Sequence, residues 1–406
     1  MPDTSPAAAQ LPASAEHGLR RMFSHPTLLL AGAAAFSLST LFSAMKPIML
    51  TRMLEEAAIG EAVAGTIVAA PFAGIAISSV LFYFRPPRAS VRALGAVFGL
   101  SLVLLEWFSA TLFPMVGALL VMQFAAGFCV GALMAATSRI IAVSSAPDES
   151  FGFIDMSAVA MMSLMVAGLG RAVAADGTVG GYHFAAGASL LFTLLIVVYR
   201  EPGSVRVHHE KYLGLPALTL RPVAVILMGM LFVTCSGLGF VFMFSMAAEL
   251  GMDYAMAGDR IGILLVVSAL DCLAGGWCSR RYGPRYPLLC AFLVCAVGWW
   301  FAVHTASTTV FFIALVPSVF ALQFNFPILL ALSGALDEHG RWAGIAAPLI
   351  TSGFAWAAIA AGLVVENFGM AALASVNIVG MALCALLLWP ATTGDAPQLD
   401  VVPAHG

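Results

Sequence analysis

Residues Pro222 to Ala247, PVAVILMGMLFVTCSGLGFVFMFSMA, contain no charged side chain and lie between Arg221 and Glu249. A helix rises about 1.5 Å per residue, so about 20 apolar residues cross the roughly 30 Å hydrocarbon layer of a bilayer. This run is long enough to do so. Outward from it the same pattern recurs along all 406 residues, of which 61% are hydrophobic and only 10% are Asp, Glu, Lys or Arg. Soluble domains carry about 25% charged residues, and the mean hydropathy of this chain is +0.98. The chain therefore reads as an all-α integral membrane protein, and a soluble domain of any size is excluded because the apolar runs consume nearly all of its length.

Apolar runs between charged or Gly/Pro breaks give twelve candidate transmembrane helices. The first six cover 28–49, 62–84, 91–113, 115–140, 151–171 and 181–199, and the second six 222–247, 259–279, 286–304, 308–335, 342–365 and 369–389. Between them runs Arg200 to Arg221, the longest internal polar stretch, with Glu201, Arg206, His208, His209, Glu210 and Lys211. The organisation expected is a tail (1–26), a six-helix bundle (27–199), a central linker (200–221), a second six-helix bundle (222–389) and a final tail (390–406). The segment up to His25 is rich in Ala, Pro and Ser and lacks the apolar core of a secretion signal, so it reads as a disordered tail. Seven cysteines lie in or beside apolar runs without a CxxC or Cys/His spacing. They read as small packing residues, with no metal site and no cofactor.

Short cytoplasmic loops retain an excess of Lys and Arg. With the N-terminus in the cytoplasm, 14 of the 18 basic residues fall on that side, leaving Lys46, Arg52, Arg171 and Arg260 on the other. Glu55, Glu56, Glu61, Asp176, Glu249, Asp253, Asp259 and Glu366 gather on the far side, in agreement. Both termini and the linker are expected in the cytoplasm. The Ala-, Gly- and Arg-rich composition suggests a bacterial source and hence the inner membrane.

Where the eighth and ninth spans meet, the chain reads Gly276-Trp277-Cys278-Ser279-Arg280-Arg281-Tyr282-Gly283-Pro284-Arg285. This resembles the short cytoplasmic loop signature of the major facilitator superfamily, in which one Gly closes a helix, a second turns the loop, and basic residues neighbour an Asp. Gly276, Arg281, Gly283 and Arg285 match it, while Arg280 stands at the Asp position. Gly276 is expected to permit close helix approach and Gly283 a tight turn, with the arginines anchoring the loop at the cytoplasmic surface. In the fourth span, Gln123 to Gly131 resembles the superfamily's Arg-x-x-x-Gly-x-x-x-Gly pattern with Gln123 in place of Arg. Gly127 and Gly131 form a small-xxx-small face for close helix packing. The corresponding first-half loop, Phe84-Arg85-Pro86-Pro87-Arg88, keeps basic residues without the glycines. The fifth span, Ala167-Gly168-Leu169-Gly170-Arg171, lacks the Gly-Pro pair of many drug/proton antiporters in the family, which argues against a multidrug antiporter. The resemblance implies two pseudo-symmetric six-helix bundles that rock about a central cavity and expose it to each side in turn.

A charge within a span is costly and is a functional candidate by default. Asp271 is the deepest, read either as a proton carrier or as one arm of a cytoplasmic gate with Arg280 or Arg281. Glu106, in the outer half of the third span, and Asp155, near the start of the fifth, are further candidates for proton coupling or gating. Asp155 also suits a helix N-terminus. Lys46 and Arg171 lie close enough to the outer ends to snorkel to the interface. Pointing inward, they would draw an anion to the outer mouth. Arg139 and Arg341 read as boundary residues. Gln123, Gln323, Asn325, Ser39 and Arg171 are the candidate substrate contacts, with Ser37 and Thr40 as further hydroxyls. In the tenth span Pro327 frees a backbone carbonyl beside Gln323 and Asn325. Trp299, Trp300 and Trp356 read as interfacial or lipid-facing aromatics, or as a stacking surface for an aromatic substrate.

These residues point to a secondary active transporter of a small organic solute, proton-coupled, with a lean to uptake of an organic anion. The alternative is an exporter of a metabolite, drug or siderophore-like compound, favoured by the 20 Met and 28 Phe available to line an adaptable apolar cavity. A receptor built on a transport fold is a more remote reading. The chain has no His-Glu-x-x-His, no Gly-x-Ser-x-Gly and no Gly-rich phosphate loop, so it is not expected to be an enzyme or a nucleotide-driven pump. The expected partners are the solute, protons and the lipid bilayer, with no nucleic acid, and the chain is expected to be a monomer.

Overall fold

The computed structural model describes residues 26–57, 59–84, 89–142, 147–199, 219–334, 336 and 341–392. Both tails, the Arg85–Arg88 loop and most of the 200–221 linker lie outside the described residues. Within them, all regular structure is helical. The first half consists of α1 (Pro26–Ala57), α2 (Glu61–Phe84), α3 (Val91–Leu112), α4 (Val116–Ala142) and α5 (Pro147–Val198). The second half consists of α6 (Leu220–Glu249), α7 (Tyr254–Ser268), α8 (Asp271–Tyr282), α9 (Arg285–His304), α10 (Thr308–Gly334), α11 (Arg341–Thr351), α12 (Gly353–Phe368) and α13 (Ala372–Thr392).

Ten apolar segments are long enough to cross a bilayer. One of them, α5, turns back at Asp176 and Gly177 and crosses twice, and α7 with α8 makes a further crossing, so the described residues cross twelve times. The turn in α5 is tighter than the 172–180 gap expected from the sequence. Only two residues leave helical geometry, and Gly177 at φ 58° supplies the left-handed step a bulkier residue would resist. The eighth span, expected as one helix over 259–279, is interrupted at Ala269 and Leu270. There the backbone tightens to i→i+3 bonds, from Ala269 N to Val266 O at 3.3 Å and from Leu270 N to Val267 O at 3.2 Å. Asp271 thus opens a new helix instead of sitting inside an unbroken one. Asp253 caps α7 by accepting from Met256 N at 2.7 Å, and Ser90 caps α3 by accepting from Ala93 N at 3.2 Å. Gly283 at φ 72° closes α8, as the turn it was expected to make requires.

We call the face where α1 begins the tail face and the opposite one the far face. α1 and α6 are the most enclosed helices. They pack on α5 and on α12 and α13 respectively, and touch each other across the middle. α3, the return arm of α5, α9 and α13 turn long apolar side chains outward, for example Val97, Leu100, Leu104 and Trp107 on α3. Such a stripe has no place in water and suits lipid. The halves meet where α5 packs on α7 and α2 on α12. Small residues allow this approach: a Cβ on Gly170 would strike the Tyr254 carbonyl, and one on Gly65 the Ala358 carbonyl. Within the first half, a Cβ on Gly127 would enter the backbone of Pro71, and one on Gly131 would meet Ser78 and Ile75, so these glycines set the α2–α4 contact. In the second half Gly275, not Gly276, makes the close approach: its Cβ would strike the Phe324 carbonyl, while Gly276 has nothing within 4 Å.

Candidate functional site

Among the described residues, the charged side chains inside this apolar body and the polar groups around them fall in three places. The first is enclosed within the first half. Glu106 of α3 is 0% exposed. Gln123 of α4 reaches it across the helix contact, its Nε2 donating to Oε2 at 3.3 Å and to the Ser109 hydroxyl at 3.0 Å. Tyr182, from the return arm of α5, is buried within electrostatic range of Glu106. Gln123 and Tyr182 border a small void of about 20 Å³ beside Met45, Met49 and Met53 of α1. Such a volume holds one water-sized group at most. Gln123, expected to line a substrate cavity, is thus committed to a carboxyl group inside its own half.

The second group joins the halves toward the tail face. Asp155 of α5 lies beside the Cys272 thiol of α8, and Asp271 is the neighbouring residue. Asp155 lies two turns inside α5, away from the helix start where its charge would complement the dipole. Asp271 is half-buried, and its Oδ2 is enclosed with no hydrogen-bond partner. Among the described residues it forms no ion pair. Arg281, one proposed gate partner, stacks on the rings of Trp277 and Tyr282 at 5.7 Å. The side chain of Arg280 lies outside the described residues. Arg285 is held by Trp389, 4.7 Å below it, and by the Thr392 hydroxyl, tying α9 to α13. Beside Asp271 opens a cavity of about 380 Å³ among α8, α9 and α10, walled by Tyr282, Tyr286, Phe320 and Phe324.

The third group clamps the halves together at the far face. Arg171 binds Asp259 at 2.7 Å, and Tyr254 donates to Glu55 at 2.7 Å. Arg52 pairs with Glu55 and Glu56, both at 2.7 Å, and lies over the Tyr254 ring. The hydroxyls of Thr51 and Ser245 meet at 2.7 Å between α1 and α6, and Ala62 N donates to Glu366 at 2.8 Å between α2 and α12. Arg171, expected among the substrate contacts, is instead held in this junction. The side chain of Lys46 lies outside the described residues, as do those of Arg139 and Arg341.

Asn325 of α10 joins none of these groups. It is 0% exposed, and among the described residues neither its Oδ1 nor its Nδ2 has a partner, a costly state for a buried amide. Gln323 and Ser39 are half-buried. Ser37 is buried, and its hydroxyl oxygen has no partner among the described residues, while the Thr40 hydroxyl donates to Ser37 O at 2.9 Å. Trp300 and Trp356 face outward and Trp299 is buried. Sequence reasoning did not single out Cys272, Tyr182, Tyr254 or Ser245. Cys272 carried a usable signal, its place next to the deepest carboxylate. The others act through contacts distant in sequence that no local pattern encodes.

No known family's sequence profile matches this chain, and no curated protein matches it in sequence. Solved structures match it along nearly its whole length. The nucleoside transporter NupG superposes with a TM-score of 0.69 at 14% identity, over 89% of this chain and 97% of its own. A D-xylose–proton symporter gives 0.70 at 15%, over 89% and 96%. A bacterial homologue of the human lysosomal transporter Spinster, inward-facing and occupied, gives 0.66 at 16%, over 94% and 96%. The chain has the two-bundle, twelve-crossing fold of these transporters, the fold its resemblance to the major facilitator superfamily implies.

Proposed function

We propose that this protein is a proton-coupled secondary transporter that carries a small organic solute through a bacterial inner membrane by alternating access. The tail face lies in the cytoplasm in this reading, since it holds 14 of the 18 basic residues. The observation that carries the proposal is the asymmetry of the junction between the halves. Charged and polar bonds clamp the far face, whereas toward the tail face Asp155, Cys272 and Asp271, which forms no ion pair among the described residues, sit at or beside the same junction. A rocking pair of bundles needs a junction that closes on one side while a titratable group is accessible on the other. Asp271, with Asp155 beside it, is the carrier of the proton in this account. Glu106 is a packing group fixed by Gln123.

Of the two directions, export gains support from the site. Arg171 and Arg52 are paired with Asp259, Glu55 and Glu56, so neither offers a free cation to an incoming organic anion, and the cavity beside Asp271 has apolar walls. Reconstitution in proteoliposomes under an imposed proton gradient tests both readings. Internal pH is followed while organic acids and apolar solutes are added in turn. Proton movement that follows an apolar solute supports coupled export, movement that follows an organic acid favours uptake, and no movement with any solute contradicts proton coupling.

A further inference from the structure

The cavity among α8, α9 and α10 lies within one half and opens onto the outer surface of the bundle. Its α9 wall includes Tyr286, 71% exposed, and the exposed Cys290. The same helix turns Leu289, Leu293 and Val297 outward, the stripe that faces lipid. Its inner end holds Asp271, which starts α8 eleven residues before Tyr282, or about 16 Å along the helix axis. That places the carboxyl group near the middle of a roughly 30 Å hydrocarbon layer. An acidic group at that depth needs a partner, yet Asp271 has none in an ion pair among the described residues, and its Oδ2 is enclosed and unbonded. Arg281, near the other end of α8 and about 15 Å along the helix axis from Asp271, stacks on Trp277 and Tyr282 at the exposed edge. Aromatic walls from Tyr282, Tyr286, Phe320 and Phe324 surround the approach. Ring faces attract cations most strongly where water is excluded, and a volume of about 380 Å³ falls in the range of small-molecule sites.

From this arrangement we infer that the cavity is a lipid-accessible binding site for a hydrophobic monocation, an aryl or alkyl ammonium, whose charge pairs with Asp271 while its apolar body lies against Tyr282, Tyr286, Phe320 and Phe324. The ligand enters from the bilayer, where amphipathic cations concentrate, without passing through the space between the halves. The inference deepens the transport reading by giving the Asp271 site a ligand class, and it rests on that reading only for its physiological role. A neutral apolar ligand, such as a lipid acyl chain, would fill the walls but leave the carboxyl group unmatched.

The test uses the full-length protein in nanodiscs of zwitterionic phosphatidylcholine, with benzyltrimethylammonium as probe and its uncharged isostere neopentylbenzene as competitor. Saturable binding of the cation is expected, with the isostere weaker by about tenfold or more, as loss of a charge pair in a low-dielectric site implies. Asp271→Asn should abolish that preference and leave isostere binding within about twofold, since the apolar walls persist. Ala321→Trp, which fills the cavity, should weaken both ligands. In the parent protein the cation should also slow maleimide labelling of Cys290 at the mouth, read peptide by peptide, which keeps the test decisive if a variant does not fold. Equal binding of cation and isostere, an unchanged preference in Asp271→Asn, or no protection of Cys290 would overturn the site. Cation binding without solute flux in proteoliposomes would leave the site standing and contradict the transport reading. Flux without cation binding would do the reverse.

Discussion

Glu106 and Asp271 are both acids inside spans, and the molecule treats them in opposite ways. Glu106 is fully enclosed, and Gln123 reaches it from α4 while donating also to Ser109. Asp271 stands at a helix interruption beside a cavity, with one oxygen unbonded. A polar group whose partners come from the same bundle is fixed and fastens helices together. One without such partners is available to a proton or a ligand. Depth and residue type, read from the sequence, make both acids candidates and rank Asp271 the deeper, but the difference in their roles lies in what stands opposite each.

The sealed side of this contrast depends on α4 pressing against α2, so the largest effect is expected from Gly127→Val. Its side chain would enter the backbone of Pro71, one turn from Gln123. Overpacking costs about 1–3 kcal/mol where neighbours can yield and more where the obstacle is backbone. The variant should therefore be lost as a monodisperse peak in size-exclusion chromatography. On the open side, Asp271→Asn should reduce proton-coupled flux by about tenfold or more, as expected for an intramembrane carrier, while thermal stability in detergent stays close to that of the parent. Gln123→Leu should do the opposite. It strips the donor from a buried carboxyl group, costs about 1–3 kcal/mol, lowers the melting temperature, and leaves the coupling ratio of protons to solute unchanged. The smallest effect is expected at the far-face clamp. Arg171 and Asp259 are 59% and 44% exposed, and exposed pairs contribute about 0–1 kcal/mol. Arg171→Ala should scarcely change stability. It should increase thiol labelling of a cysteine placed at Ser245, by loosening the closed far face.

Much of the fold was legible in the residues. Runs such as Pro222–Ala247 fix crossings because no other structure satisfies an apolar stretch of that length. The glycines at 127 and 131 were legible as a packing face because only close helix approach explains their spacing. The interruption at Ala269–Leu270 was not legible: Val266-Val267-Ser268-Ala269-Leu270 contains neither Gly nor Pro, and the backbone stays in the helical region while its bonding shifts. The shift from Gly276 to Gly275 as the contact glycine was hidden for a related reason. Helices apolar all round carry little periodicity, so the sequence does not say which face meets a neighbour. Partnerships such as Arg171 with Asp259, or Asp155 with Cys272, join residues about a hundred positions apart. They depend on how the halves meet, which spacing within one span does not encode.

The central claim is that Asp271 is the working acid and Glu106 a structural one. The direct test reconstitutes the parent protein, Glu106→Gln and Asp271→Asn at matched density in proteoliposomes and follows internal pH as solute is added under a proton gradient. Coupled proton movement in the parent and in Glu106→Gln, with none in Asp271→Asn, is the predicted result. Coupling that survives in Asp271→Asn and disappears in Glu106→Gln would contradict the account and move the carrier into the sealed first half.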